Sequence, residues 1–408
     1  MHIVYIHQYF ATRSGTTGTR SYEFAKRWIE AGHKVTMITS TAQLTGPDLG
    51  TAACSSIMRR LNVDGIEVIA FNISYHQTMG YAKRIWSFVR FLFFASLITV
   101  RLNNIDVVYA TSTPLTIGIP ALFFKWFRGI PFAFEVRDQW PESVIELGGL
   151  HNIFLIKVLL WLEKIIYDNS SAIIAVSEGM AQDIQKIAGS AKPVYVIPNG
   201  ADLDLFHPDI DGSSVRHKNG WNNKLVLLHA GAMGKINGLD FVIKVADRVK
   251  HQKNILFVLV GQGVKKEYLG KMIHDLNLLN VEILSSIPKR ELPLLLSAAD
   301  IIMAIIGNFP IIEKHASLNK FYDGLSAGKP MLLNYSGWQR ELIEHEKAGW
   351  GCKLCDIDEF VDNVIKLNDE KERLNLMGQN ARKIAETKFN RDDLARQALT
   401  VLCAIKKP

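Results

Sequence analysis

The chain has 408 residues, 48% hydrophobic and 21% charged, with a net charge of +7 and an isoelectric point near 9.0. This is globular composition, long enough for two domains, and it excludes an intrinsically disordered chain. The basic excess suits an acidic partner such as a phosphorylated substrate, anionic lipid or nucleic acid, and says nothing about fold.

In chain order, "HIVYI" reads as a first strand. It leads into "QYFATRSGTTGTRSYEF", residues 8–24, which sets two glycines and three threonines between two arginines. Gly15 and Gly18 would let the backbone approach a ligand, while Thr16, Thr17 and Thr19 offer hydroxyls. Arg20 opens a helix, where free N–H groups and the dipole favour an anion. This G-x-x-G is neither a dinucleotide fingerprint nor a Walker loop, since no G-K-[ST] follows. It fits a phosphate-binding loop or a plain tight turn.

"KVTMIT", "IEVIAF", "DVVYAT", "PFAFEV", "SAIIAVS" and "PVYVIP" continue as strands, with helical stretches between most of them. "KRIWSFVRFLFFASLITVR", residues 83–101, is basic, with Lys83, Arg84, Arg90 and Arg101 and no acid. On a helix Lys83, Arg90 and Arg101 fall within about 20° of one line, with large apolar groups around the rest. Its uncharged run, residues 91–100, is too short to span a bilayer, which needs about 20 residues. With "ALFFKWFRGIPF" and "FLIKVLLWLEK", it fits a buried helix layer or a half-domain resting on an anionic membrane.

"EVRDQWPESV", residues 135–144, places Glu135, Arg137 and Asp138 at a strand's carboxyl end, where functional side chains collect, and Trp140-Pro141 then turns the chain. The polar "FHPDIDGSSVRHKNGWNNK" reads as a domain entry. Strands resume with "LVLLHAG", "ILFVLVGQG", "VEILSS", "DIIMAII", "PMLLNY" and "GWGCKL". Strands alternating with helices predict parallel sheets with βαβ crossovers. The expected fold is α/β with two Rossmann-like domains, residues 1–204 and 205–390, facing across a cleft. An amphipathic last helix from Arg391 to Ile405 is expected to pack back on the first domain.

Cys352 and Cys355 form a lone C-x-x-C, with Cys54 and Cys403 isolated, so no tetrahedral metal site is completed. They read as small residues in a short strand, and low cysteine use fits a reducing cytoplasm. The first residues lack a charged n-region and a cleavage site, and so do not read as a signal peptide.

The ordered series "VRDQWPES", "VIPNGADLDLF", "LHAGAMGKINGLD", "LVGQGVKKEYL", "IPKRELPLLLSAADIIMAI" and "LNKFYDGLSAGKPMLLN" resembles the bacterial glycosyltransferases of family four. Their fold is the two-Rossmann architecture called GT-B. Within that family the chain looks like the branch that builds O-antigen and capsule repeats, which includes fucosamine-transferase-like proteins. The resemblance covers nearly the whole chain, and its specificity lies in the order and spacing of the motifs.

The resemblance implies that the second domain binds a nucleotide-sugar, usually UDP-linked, and the first binds the acceptor. Asp323 takes the place of the second glutamate of the family's E-x7-E pattern, which contacts ribose. The first glutamate falls at His315 and is absent, with Glu313 nearby. The family's phosphate-binding Arg and Lys fall at Ala232 and Asn237. Lys320 and Lys235 are the expected replacements, because an unneutralised diphosphate would bind poorly. The donor site is thus expected from Gly231, Lys235, Asn237, Gly261, Gly263, Glu313, Asn319, Lys320 and Asp323. Gly15, Thr16, Gly18 and Arg20 are expected to grip a phosphate of donor or acceptor. Lys320 and Asp138 are the expected catalytic pair, Asp138 positioning the acceptor hydroxyl or the sugar.

The expected enzyme is a retaining transferase without metal or other cofactor, whose leaving diphosphate takes the acceptor proton. It would move a sugar, for example an N-acetylated amino or deoxyamino hexose, to a lipid-diphosphate-linked saccharide on the inner face of the cell membrane. A nucleic-acid partner is not expected, because the basic residues interleave with aliphatic ones. The eroded anchors leave the alternative of a non-catalytic GT-B partner subunit, and the shared fold leaves that of a sugar-nucleotide epimerase, which the motif order and the "VRDQWPES" turn disfavour.

Overall fold

The computed structural model describes residues 1–49, 57–75, 79–368 and 370–407, so Cys54 lies outside the described residues. The chain divides into two compact units, residues 1–198 with 392–408 and residues 199–391.

In the first unit the strands are β1 (His2–Ile6), β2 (Lys34–Ser40), β3 (Met58–Val63), β4 (Ile66–Phe71), β5 (Val107–Thr111), β6 (Phe132–Val136), β7 (Ala172–Ala175) and β8 (Val194–Val196). Among the described residues they form one sheet in the order β3-β4-β2-β1-β5-β6-β7-β8. All neighbours are parallel except β3 and β4. The central strands are covered on both faces and read as unbroken apolar runs, as parallel strands do. One face packs Val4, Val108 and Phe134 against helices Tyr81–Ile98, Gly118–Arg128 and Ile153–Asn169. The other packs Tyr5 and Tyr109 against Trp28 and the last helix, Arg391–Ile405.

That last helix is fixed to the first unit by specific bonds. Trp28 Nε1 donates to the Ala395 carbonyl at 2.8 Å, and Arg27 pairs with Asp392 at 2.5 Å. The first unit ends at Pro198 rather than at residue 204. Ala201 N–H bonds to the Phe389 carbonyl, and Arg391 pairs with Asp202 at 2.7 Å, so "NGAD", residues 199–202, belongs to the second unit.

The antiparallel β3 was not among the expected strands. "MRRLNV" is an edge strand, half exposed, whose arginines break any apolar run. Its hairpin turn, Asp64-Gly65, has φ of +49° and +85°, the left-handed pair that Asp-Gly favours. That dipeptide was the available signal.

The second unit contains β9 (Leu225–Ala230), β10 (Ile255–Val260), β11 (Val281–Leu284), β12 (Ile301–Ala304), β13 (Met331–Leu333) and β14 (Gly349–Gly351). Its sheet is parallel, in the order β11-β10-β9-β12-β13-β14. Helices cover both faces and leave the strands' carboxyl ends to the loops. The loops that follow β9 and β10 touch closely. A Cβ on Gly261 would run into the Gly231 carbonyl, and one on Gly263 into that of Met233. Backbone bonds from Gly231 to Val260 and from Met233 to Gln262 extend the pairing past the strands.

Candidate functional site

In the second unit, three expected donor residues converge at the carboxyl end of β9. Lys320, in the first turn of helix Asn319–Ser326, donates from Nζ to Asn237 Oδ1 at 3.2 Å. A Cβ on Gly231 would meet Lys320 Cε at 3.0 Å, so the lysine lies close across this strand end and a larger residue there would push its tip aside. Burial draws the Lys320 ammonium down to about 8. Beneath it His229, fully buried at the end of β9, is held neutral by burial and by the adjacent lysine. His229 was not expected from the sequence, because it sits inside an otherwise apolar strand. A desolvated ammonium at the start of a helix is poised for phosphate, which would restore the charge stabilisation that burial removed.

The other expected donor residues are placed differently. Asn319 opens the same helix as Lys320. Gly261 and Gly263 are packing positions between the two loops. Glu313 Oε1 accepts the Ser336 N–H at 2.8 Å and so ties helix Pro310–His315 to the loop after β13. Lys235 turns to a different surface, with its ammonium 5.5 Å from the centroid of the Phe309 ring.

Asp323 corrects the expectation of a ribose contact. It is 5% exposed and lies in an interior ionic cluster. Lys289 Nζ is 2.8 Å from its Oδ1 and 3.3 Å from Asp202 Oδ2, and Arg391 completes the cluster on Asp202. Two acids and two bases balance there, and the cluster joins four segments of the unit. Lys289 was missed because its neighbours "IPKREL" look like an ordinary charged turn.

In the first unit Arg20 is a second correction. It is 1% exposed, with Nε on Glu135 Oε1 at 2.8 Å and the rest of its fork on the carbonyls of Ile197 and Pro198. Tyr109 and Thr111 hydroxyls complete the shell around Glu135. Burial works against the Glu135 charge, but Arg20 and Arg137 outweigh it and hold the carboxyl below its ordinary range. Each of the three Arg20 guanidinium nitrogens is thus engaged by protein groups, which ties the end of the loop to β6 and to the segment after β8. Arg13, at the other side of the loop, forks onto buried Glu23 at 2.7 and 2.9 Å. Thr16 is exposed and Gly18 partly so, while Gly15 is buried with its N–H on the Thr12 carbonyl.

Asp138 stands exposed after β6 and accepts from the Thr113 hydroxyl at 2.6 Å. His7, which follows β1, is buried, bonded through Nδ1 to Ser21 and kept neutral by its burial and by Arg137. Glu163 is another group not expected from the sequence. It is fully buried on helix Ile153–Asn169, and burial together with Glu142 pushes its carboxyl up to about 8.

The description "Glycosyl transferase 4-like domain" matches residues 15–200, and "Glycosyl transferases group 1" matches residues 213–384. The chain belongs to the family-four glycosyltransferases, with the GT-B fold. Relatives of this transferase include "Probable glycosyltransferase WbjE" of Pseudomonas aeruginosa, 21% identical over 69% of this chain and 71% of that one. An Escherichia coli UDP-Gal:alpha-D-GlcNAc-diphosphoundecaprenol alpha-1,3-galactosyltransferase is 25% identical over 48% of this chain and 50% of that one. Among solved structures, Anabaena Alr3699/HepE in complex with UDP-glucose superposes with a TM-score of 0.71 at 18% identity, covering 99% of the transferase and all of that chain. Among the described residues, no helix of the transferase is long and apolar enough to cross a membrane.

Proposed function

We propose that the transferase moves a sugar from a UDP-linked donor to a lipid-diphosphate-linked saccharide, as a step in surface polysaccharide assembly at an anionic membrane. The observation that carries the acceptor side is an apolar face on the first unit. Helices Tyr81–Ile98, Gly118–Arg128 and Ile153–Asn169 pack side by side over one face of the sheet. Their outward sides expose Trp86, Phe93, Trp126, Phe127, Phe154 and Trp161, each more than half accessible. An apolar surface of this extent marks an interaction site, and the interleaved Lys83 and Lys157 give it the charge that anionic lipid attracts.

On the donor side, Lys320 and the N–H groups opening its helix would meet the charge that develops on the leaving diphosphate. Asn237 would hold the lysine in place. Asp138, fixed by Thr113, would orient the acceptor hydroxyl or the sugar, and the departing diphosphate would take the acceptor proton with retention at the anomeric carbon. The HepE complex with UDP-glucose and the galactosyl donor and diphosphoundecaprenol acceptor named for the E. coli relative favour UDP and a diphosphate-linked acceptor.

Incubation with UDP-sugars and GDP-mannose, each with a lipid-diphosphate saccharide, tests the assignment. A product heavier by one sugar, formed with a UDP donor and identified by mass spectrometry, is expected. Product formed from GDP-mannose alone would overturn the UDP assignment, and transfer to free sugars alone would overturn the lipid acceptor.

A further inference from the structure

A cavity of about 320 Å³ opens in the second unit among the loops after β9 and β12. Lys320, Asn237 and Gly231 do not line it. Its walls carry three ammonium groups, Lys235, Lys244 and Lys265, from three separate segments, and one lining carboxylate, Asp240. Lys244 and Lys265 lie 3.7 and 3.8 Å from the Asp240 oxygens, close enough to share its charge but beyond hydrogen-bond reach. Among the lining residues three lysines face one carboxylate. The Phe309 ring, under the Lys235 ammonium, gives the hollow an apolar wall.

We propose that this hollow is a second anion site, taking a phosphate monoester of about monosaccharide size. Ligand cavities run from roughly 300 to 1,000 Å³, so this one lies at the small end, too small for a nucleotide-sugar. The phosphate would sit among the lysines, Asp240 would accept from a sugar hydroxyl, and Phe309 would face the ring's C–H groups.

The site bears on the transferase through the short turn Lys235–Asn237. Lys235, at one end of the turn, faces the hollow, while Asn237, at the other, holds Lys320 at 3.2 Å. An anion that fixes Lys235 thereby fixes the support of Lys320. Occupancy of the hollow strengthens donor binding, and by linkage the donor strengthens occupancy.

Cys355 lines the hollow and reports on it directly, with buried Cys352 and exposed Cys403 as internal controls. Alkylation of each thiol in the full-length protein is followed by peptide mass spectrometry, with inorganic phosphate, glucose 6-phosphate or UDP added. Both phosphates are expected to slow Cys355 alone, the sugar phosphate at lower concentration. In Lys244→Gln and Lys265→Gln the protecting concentration should rise about tenfold, as for one lost charge-assisted contact, with UDP affinity without phosphate unchanged. Protection by UDP alone equal to that by phosphate would assign the hollow to the donor site and overturn the proposal. Unchanged Cys355 alkylation with either phosphate, or equal protection in wild type and both variants, would overturn it too.

Discussion

Lys289 Nζ lies 2.8 Å from Asp323 Oδ1 and 3.3 Å from Asp202 Oδ2, with all three side chains out of solvent. Burial alone would strip the Lys289 proton, but the two carboxylates outweigh it and hold the ammonium above its ordinary range. A buried charge that loses its partner is strongly destabilising. Asp323→Ala should therefore cost about 3–5 kcal/mol of unfolding free energy, read by urea denaturation. Donor affinity of the folded variant should be largely kept. A fully stable Asp323→Ala protein that has lost UDP binding would return Asp323 to the ligand.

Lys320→Met should lower turnover by roughly 10²–10³-fold, the usual loss when one preorganised charge partner of the transition state is removed. The same change should stabilise the free protein at neutral pH. The native lysine titrates near 8 against 10.5 unfolded, so between those values the unfolded chain holds a proton the native state has released. Wild-type stability thus rises with pH across that window, and the variant's advantage in melting temperature should shrink over it. A variant that is less stable at neutral pH would contradict the assigned strain.

Glu163 predicts the opposite slope. Its native carboxyl titrates near 8 against 4.5 unfolded, so native protein holds a proton that the unfolded chain has lost. Stability falls as pH rises from about 4.5 to 8. Glu163→Gln should raise the melting temperature most at and above pH 8 and least below 4.5. Equal gains at all pH values would mean that Glu163 is not protonated in the native state.

For the membrane face, sedimentation with vesicles should increase with anionic lipid and decrease in salt, each well-placed basic residue adding about 1 kcal/mol. Trp86→Ser with Trp161→Ser should reduce binding without altering UDP affinity, because both rings are exposed on the first unit. Vesicle binding by the double variant equal to wild type would remove these helices from the interface.

The doubly wound sheets were legible because central parallel strands, buried on both faces, write themselves as apolar runs. Strand β3 was not, since an edge strand with two arginines lacks that signature. The helix start that carries Lys320 was legible in "LNKFYDGL". Arg20 had the same local marks, yet its fate is decided by Glu135, on a strand 115 positions away. Composition of a loop tells which groups are available, whereas a distant carboxylate decides which remain so. Asp323 was misplaced for the same reason, its partners coming from three other segments.

The seam between Trp28 and Ala395 has a consequence for synthesis. The helix that covers Trp28 is translated only after all of residues 199–391, so a nascent first unit has one sheet face without its final cover. The indole N–H and the apolar side chains around it wait for a segment separated from them by an entire second unit. Folding of the first unit can therefore finish only after residues 392–405 have been translated, and ribosome-bound chains stopped before residue 392 should expose that face to chaperones.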